Sequence, residues 1–234
     1  MIVNAHYKRY PASGRLSTAP AGQSLRVVGQ TADRVSPIPV NPANALCLDF
    51  VNSAFADHTG ITDLVFDRLA SPQWWKWMAS RWRLRLPAKL TPADSRKLRQ
   101  FRTKLRGMLV EAGRGRTLAK ADLAWLNQRL AQSPRRLSLP AGGKESHVVL
   151  APLSRNWDAV IAEVILSYVA LMREGNPRRI RRCANPSCSW LFYDDSRNRS
   201  RRWCDPRYCG NLIKVRRHRA RKATRRRSVR SPSR

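Results

Sequence analysis

The sequence has few acidic residues and no long apolar run. Only 15 Asp and Glu stand against 46 Lys and Arg, so the formal net charge is +31. No run approaches the roughly 18 apolar residues of a membrane-spanning helix. The start, MIVNAHYKRYPASGRLS, has no apolar core of the kind found in signal peptides. We therefore expect a cytoplasmic protein with a polyanionic partner and no membrane partner.

Several catalytic motifs are also missing from the sequence. It contains no glycine-rich phosphate loop, no His/carboxylate pair at metal spacing and no nucleophile elbow. Dispersed acids usually serve as caps, turn residues and ion-pair partners, and those in question are Asp49, Asp57, Asp63 and Asp67. The sequence thus favours a binding protein over an enzyme.

The positive charge is concentrated at the C-terminal end. Residues 178–234 contain 20 Lys and Arg and 3 Asp, a net charge of +17 in 57 residues. A nucleic acid and an anionic membrane surface would both satisfy this charge. Because no apolar anchor accompanies it, we expect the nucleic acid.

Four of the five cysteines form two pairs with the same spacing. Cys183 and Cys188 are separated by four residues, as are Cys204 and Cys209, and fifteen residues lie between the pairs. Each spacer contains a turn-forming Asn-Pro or Asp-Pro dipeptide. The pattern predicts one structural Zn²⁺ held by four thiolates. Disulfides or an iron–sulfur cluster are the alternatives, and the isolated Cys47 is interpreted as a buried apolar residue.

Composition and periodicity predict a mainly α (α+β) protein in four parts. Residues 1–40 are rich in Pro, Gly and Ser and are expected to form a disordered arm. Residues 41–177 are expected to form a helical domain with a minor β-hairpin. Residues 178–224 would form a small treble-clef-like zinc module with four cysteine ligands and a basic C-terminal helix, and residues 225–234 a disordered basic tail.

Capping patterns locate the helices of the first domain. Ser71-Pro72 and Thr91-Pro92 predict helix starts, and the second helix should stop at Gly113. Further helices are predicted over residues 117–130 and 157–172, the last being apolar on more than one face and therefore central. Residues 44–55 fit a helix with Asn44 as its N-cap or, up to residue 51, a buried strand. Two short runs, 136–139 and 147–150, predict the hairpin.

Four tryptophans, Trp74, Trp75, Trp77 and Trp82, lie close together in one predicted helix. They fit either a buried aromatic cluster or a platform for stacking bases. Because they are interleaved with core-type residues such as Met78, we favour the buried cluster.

The residues between and after the cysteines predict which structural elements carry the positive charge. A β-prone run, residues 190–193, and the segment 201–203 predict a small hairpin flanked by the cysteine pairs. A helix is predicted to start at Gly210-Asn211, with Leu212, Ile213, Val215 and Ala220 facing the module. An α-helix fits the major groove of DNA. The candidate nucleic-acid contacts are Arg197, Arg199, Arg201, Arg202, Lys214, Arg216, Arg217, Arg219, Arg221 and Lys222.

At these residues a family resemblance becomes visible. The runs Cys183-Ala-Asn-Pro-Ser-Cys188, Asp195-Ser-Arg-Asn-Arg-Ser-Arg-Arg-Trp-Cys204 and Cys209-Gly-Asn-Leu resemble the CGNR zinc finger. The run Leu46-Cys-Leu-Asp-Phe-Val-Asn52 is similar to the start of the ABATE domain that precedes this finger. The resemblance implies a bacterial protein of the putative stress-induced transcription regulator group whose finger binds DNA. Leu212 stands where the family has Arg, so a contact of that side chain does not carry over, and Arg216, Arg217 or Arg219 would replace it.

Together these observations predict a zinc-dependent, DNA-binding transcription regulator that is nucleoid-associated when bound. Its first domain would sense a small-molecule ligand, form a homodimer or contact partners. The same charge would equally serve an RNA- or ribosome-associated protein. An enzyme domain tethered to nucleic acid is the third alternative.

Overall fold

The computed structural model describes residues 44–56, 65–138 and 149–229. The predicted N-terminal arm, residues 139 and 147–148 of the predicted hairpin, and the end of the basic tail lie outside these residues. The described residues contain six α-helices: α1 (Leu46–Val51), α2 (Pro72–Trp82), α3 (Pro92–Gly113), α4 (Lys120–Ala131), α5 (Trp157–Glu174) and α6 (Asn211–Val229). The fold is therefore mainly α, as predicted.

Three antiparallel two-stranded sheets complete the described fold. The first pairs β1 (Ala54–Ala56) with β2 (Val65–Asp67), and the second pairs β3 (Arg135–Ser138) with β4 (Val149–Pro152). This second sheet confirms the predicted hairpin, although its strands start one and two residues away from the predicted runs. The third pairs β5 (Ile180–Arg182) with β6 (Leu191–Tyr193).

The core of the first domain is built from α1, in which five of six residues are buried, and one face of α3, both packed around α5. Ten residues of α5 are buried, on several faces, which confirms its predicted central position. On α3 the buried residues recur at helical spacing, from Leu98 through Phe101, Leu105 and Leu109. Cys47 is fully buried in this core, and burial raises the pKa of its thiol to about 12. It packs as an apolar residue, as predicted.

Local capping explains where α2, α3 and α5 begin. The side chain of Ser71 accepts a hydrogen bond from Trp74 N, and Thr91 forms a reciprocal capping box with Asp94. Asn156 caps α5 by accepting from Ala159 N. Each cap satisfies a backbone donor that the first helical turn leaves without a partner.

Two predicted helix starts are wrong. Asn44 is not the N-cap of α1, since Ala45 occupies that position and makes no side-chain capping bond. Helix α4 begins at Lys120 rather than Thr117, and its N-cap, Ala119, also lacks a capping side chain. Neither start therefore has a side-chain cap.

The tryptophans of α2 belong to the core. Trp74, Trp75 and Trp82 are buried, and Trp77 is partly buried against the same core. Trp75 packs on Trp74 and on Trp157 of α5, with ring centroids 4.7 Å apart in both pairs. The buried aromatic cluster is confirmed, because the three buried rings have no exposed face on which a base can stack.

At the C-terminal end the chain departs from the expected order of elements. The predicted hairpin of 190–193 with 201–203 is wrong, because β6 pairs with β5 and residues 201–203 form no strand. Cys183 to Cys188 are therefore the turn of the hairpin. Helix α6 continues to Val229, five residues into the expected tail, in keeping with the good helix propensity of Arg and Lys.

None of the described helices combines the length and the hydropathy needed to cross a bilayer.

The α3–α5 core should be sensitive to cavities. Leu105 is fully buried, so Leu105→Ala should lower the free energy of unfolding by about 2–5 kcal/mol. Leu123 on α4 is 51% exposed, and Leu123→Ala should change it by about 0.5 kcal/mol or less. Urea unfolding followed by circular dichroism measures both. Equal effects of the two substitutions would contradict this packing.

Candidate metal centre and basic helix

Four cysteine sulfurs meet at one point in the C-terminal module. Cys183, Cys188, Cys204 and Cys209 are all buried, and their sulfurs lie within 4.8 Å of one another. Two measured separations, Cys188 to Cys204 and Cys204 to Cys209, are 3.8 and 3.7 Å. A disulfide bond measures about 2.05 Å, so neither separation is a disulfide. The cluster has the composition of a metal site.

Short turns position the sulfurs. Asn185 accepts a hydrogen bond from Ser187 N and donates from Nδ2 to Cys209 Sγ at 3.6 Å. Asp205 accepts from Arg207 N and Tyr208 N, which starts the helical turn Pro206–Gly210 that carries Cys209. The Asn-Pro and Asp-Pro dipeptides thus form the turns that the sequence predicts.

The thiols influence one another because they are so close. The pKa of Cys183 lies below its usual range, since the side chain of Cys188, followed by those of Cys204 and Cys209, donates hydrogen bonds to its sulfur. The pKa of Cys204 is raised, first by its contact with Cys183. The pKa values of two of the four thiols, Cys183 and Cys209, are thus lowered, which favours the thiolate form that binds metals.

A buried aspartate organises the loop between β6 and Cys204. Asp194 Oδ1 accepts from the backbone and hydroxyl of Ser196, and Oδ2 accepts from Arg201 N at 3.2 Å. Burial raises the pKa of Asp194, but these bonds and the nearby Arg181 outweigh it and hold the pKa below its usual range. The carboxylate is therefore ionised and fixes the loop.

The module and the first domain are joined by a seam of buried contacts. The side-chain amide of Asn52, just after α1, donates to Leu191 O at 2.8 Å and accepts from Leu191 N at 2.9 Å. Ile180, Leu191 and Tyr193 of the third sheet belong to the main core. At Gly113 a Cβ would come within 2.4 Å of Ile180 O, so α3 and β5 approach closely only because this residue is glycine.

Residues of the first domain also complete the core around the cysteines. Phe55 of β1 packs in one buried cluster with the four cysteines, Trp190 and Phe192. The Arg68 guanidinium lies 4.3 Å from the centroid of the Phe55 ring, at cation–π distance. Arg106 of α3 donates to the carbonyl of Ser189, beside Cys188. The module is thus built against the first domain.

The candidate nucleic-acid residues divide into two groups. Two of them contact the module itself: Arg201 donates to Trp203 O and to Asp195, and Arg216 donates to Ser187 Oγ at 3.4 Å. The other eight are exposed on the loop 195–202 or on α6, namely Arg197, Arg199, Arg202, Lys214, Arg217, Arg219, Arg221 and Lys222. Arg207, in the turn before α6, is a further exposed cation that the sequence analysis did not single out.

Helix α6 extends away from the module. Among the apolar residues of α6 whose burial the structure describes, Leu212 and Ile213 are half-buried, whereas Val215 is 38% exposed and Ala220 is exposed. The prediction that Val215 and Ala220 face the module is therefore wrong.

A helical domain that shares its core with a compact four-cysteine module defines a two-part protein of the zinc-finger class. A family model described as the ABATE domain, putative stress-induced transcription regulator, matches residues 44–175. A second, described as the CGNR zinc finger, matches residues 179–222. The first covers more than half of the 234 residues, so the chain belongs to this family, as the motifs indicated. A search of curated proteins found no matching relative.

The Asn52 contact should be essential for joining the two parts. Asn52→Ala would leave a buried N–H and a buried C=O of Leu191 without partners, so we expect a loss of about 2–4 kcal/mol in the free energy of unfolding. Gln128→Ala, on the exposed face of α4, is the control and should change it little. Thermal unfolding checks both, and an unchanged Asn52→Ala protein would refute the role of the seam.

Proposed function

We propose that this protein is a zinc-dependent, DNA-binding transcription regulator. In this proposal the four cysteines hold one structural Zn²⁺, and α6 with the loop 195–202 contacts DNA. The observation that carries the proposal is a helix of exposed cations that starts two residues after the last cysteine. The protein would act in the cytoplasm, at the nucleoid.

The spacing of the sulfurs supports zinc. In a tetrahedron with Zn–S bonds of about 2.3 Å, neighbouring sulfurs lie about 3.8 Å apart. Two of the six sulfur–sulfur separations, 3.8 and 3.7 Å, match this edge, and all six are within 4.8 Å. Four thiolates fill the coordination sphere, which leaves no position for a water or a substrate. The metal would therefore serve folding rather than catalysis.

The surroundings of the cluster are suited to its charge. Zn²⁺ with four thiolates has a formal charge of −2, and burying it requires compensation. Arg106 brings a guanidinium to Ser189, next to Cys188, and Asn185 donates to Cys209 Sγ. These donors favour the thiolate forms that a metal requires.

The charges of α6 differ from those of α3. On α3 four of the six cations form ion pairs: Lys97 with Asp158, Arg99 and Arg102 with Asp67, and Lys104 with Asp122. On α6, Lys214, Arg217 and Arg221 lie on one helical face by their spacing, with no carboxylate partner in the part of the chain that the structure describes. Such cations are available for phosphates.

The shape of the surface favours DNA over RNA. An α-helix fits the major groove of B-form DNA, where guanidinium groups reach phosphates and guanine edges. The major groove of A-form RNA is too deep and narrow for a helix to read. The first domain would then supply partner contacts, dimerisation or ligand binding.

The zinc assignment predicts metal content. Purified protein should contain one zinc per chain by elemental analysis, and Cys188→Ser should lose it, because three thiolates leave the tetrahedron incomplete. Cys47→Ala removes a cysteine that lies outside the cluster and should keep the metal. A chelator should expose the four thiols to titration. Folded wild-type protein without zinc would contradict the proposal.

The DNA assignment predicts a change in salt dependence. Lys214, Arg217 and Arg221→Ala together should weaken duplex binding and reduce the slope of log K against log salt by about 2.7, at about 0.9 per lost phosphate contact. The matched control, Arg85, Arg96 and Arg173→Ala, removes the same charge from exposed positions of the first domain and should change the slope by less than about 1.

Fluorescence anisotropy with duplex DNA measures these slopes, and double-stranded RNA serves as competitor. Equal slopes for the two triple variants would refute contact through α6. Tighter binding of RNA than of DNA would instead support the RNA-associated alternative.

A further inference from the structure

A groove runs along the first domain between α3, α4 and α5. Its volume is about 560 Å³, within the range of small-molecule sites. The turn Asn176–Arg178, which leads into β5, closes one end. The walls are apolar and include Met108, Ala112, Leu126, Ile165, Tyr168 and Met172.

The groove exists because α4 packs loosely. Leu126 is the one buried residue of α4, so most of this helix is not packed into the core. The Trp125 ring stacks on Phe101 with centroids 5.5 Å apart, and Asp122 pairs with Lys104. Leu118, Leu123 and Val169 consequently stay 38–51% exposed along the groove.

One end of the groove has an excess of positive charge. Glu111 at the end of α3 is shared by two guanidinium groups, those of Arg114 and Arg116. Arg178 adds a third, for which the described ranges 44–56, 65–138 and 149–229 offer no carboxylate. Arg178 lies against Gly115, whose φ is +79° and where a Cβ would come within 2.9 Å of Arg178 Nε. Glycine at this position therefore makes room for the guanidinium.

The remaining polar groups of the walls do not offset this charge. Asp122 is neutralised by Lys104. Burial raises the pKa of Tyr168 to about 12, so its hydroxyl stays protonated at neutral pH. The groove thus presents a long apolar surface with a cationic end, and charge complementarity selects a ligand with an apolar body and one anionic group.

We infer that the groove binds an apolar monocarboxylate, with the carboxylate at Arg178 and Arg116 and the chain along Met108, Leu126 and Met172. The inference does not depend on DNA binding. The ligand would touch the turn Pro177–Arg179, which continues directly into β5 of the cysteine module.

Decanoate is the probe, and isothermal titration calorimetry with the full chain is the measurement. Decanoate should bind at least about tenfold more tightly than decanol or decylammonium, because only the carboxylate meets the guanidinium groups. Shorter carboxylates should bind about fourfold more weakly for each methylene removed. No binding of decanoate, or equal binding of the three head groups, would overturn the inference.

Two pairs of variants locate the site. Arg178→Gln should weaken decanoate binding about tenfold, whereas Arg173→Gln, an exposed arginine at the end of α5, should not. Val169→Trp should fill the groove and abolish binding, whereas Leu137→Trp, on the exposed face of β3, should leave it intact. If Val169→Trp fails to fold, the arginine pair still decides.

Three outcomes would overturn the site. Binding unchanged in both Arg178→Gln and Val169→Trp would place decanoate elsewhere on the basic surface. A dimer seen by analytical ultracentrifugation that Val169→Trp dissolves, without decanoate binding, would make the groove a contact with a second copy. If Arg178→Gln and Arg173→Gln weakened decanoate binding equally, the loss of net charge rather than the loss of a specific contact would explain the effect.

Discussion

The connection between the helical domain and the cysteine module depends on the side-chain amide of Asn52. Asn52 satisfies both backbone groups of Leu191 across the boundary between the helical domain and the cysteine module. Those groups are buried, and water cannot replace the amide without opening the core. Because Leu191 lies in the strand that follows the first cysteine turn, the same contact fixes the orientation of the metal centre. The two parts therefore share buried contacts and part of one core.

The second organising constraint is the unequal use of acidic residues. With 15 carboxylates for 46 cations, the chain cannot neutralise every arginine and lysine. Asp67, Asp122 and Asp158 are paired with cations of α3, where ion pairing supports packing. The described part of α6 contains no acidic residue. Charge is thus neutralised where the protein must pack and left available where it meets a polyanion, which connects fold stability to the proposed function.

The sequence alone predicted the features that depend on residues close together along the chain. The caps at Ser71 and Thr91, the central α5 and the cysteine set all follow from local spacing. The hydrogen bonds of the seam could not be predicted, because Asn52 and Leu191 are 139 positions apart. No local pattern identifies Leu191 as the partner of Asn52. The direction of α6, and with it the exposure of Val215, depends on how Cys209 is held in space. For the same reason Arg201, which resembles its exposed neighbours in sequence, contacts the module instead.

The position of Phe55 bears on how the protein is made. The ring belongs to the core around the cysteines, yet it precedes Cys183 by more than a hundred residues. During synthesis the helical domain leaves the ribosome before the cysteines, but its core is complete only once Ile180, Leu191 and Tyr193 have been added. Phe55 and Asn52 therefore have partners that are synthesised last. A finger sequence separated from this chain would lack the Phe55 ring that packs with its cysteines and the Asn52 amide that bonds Leu191.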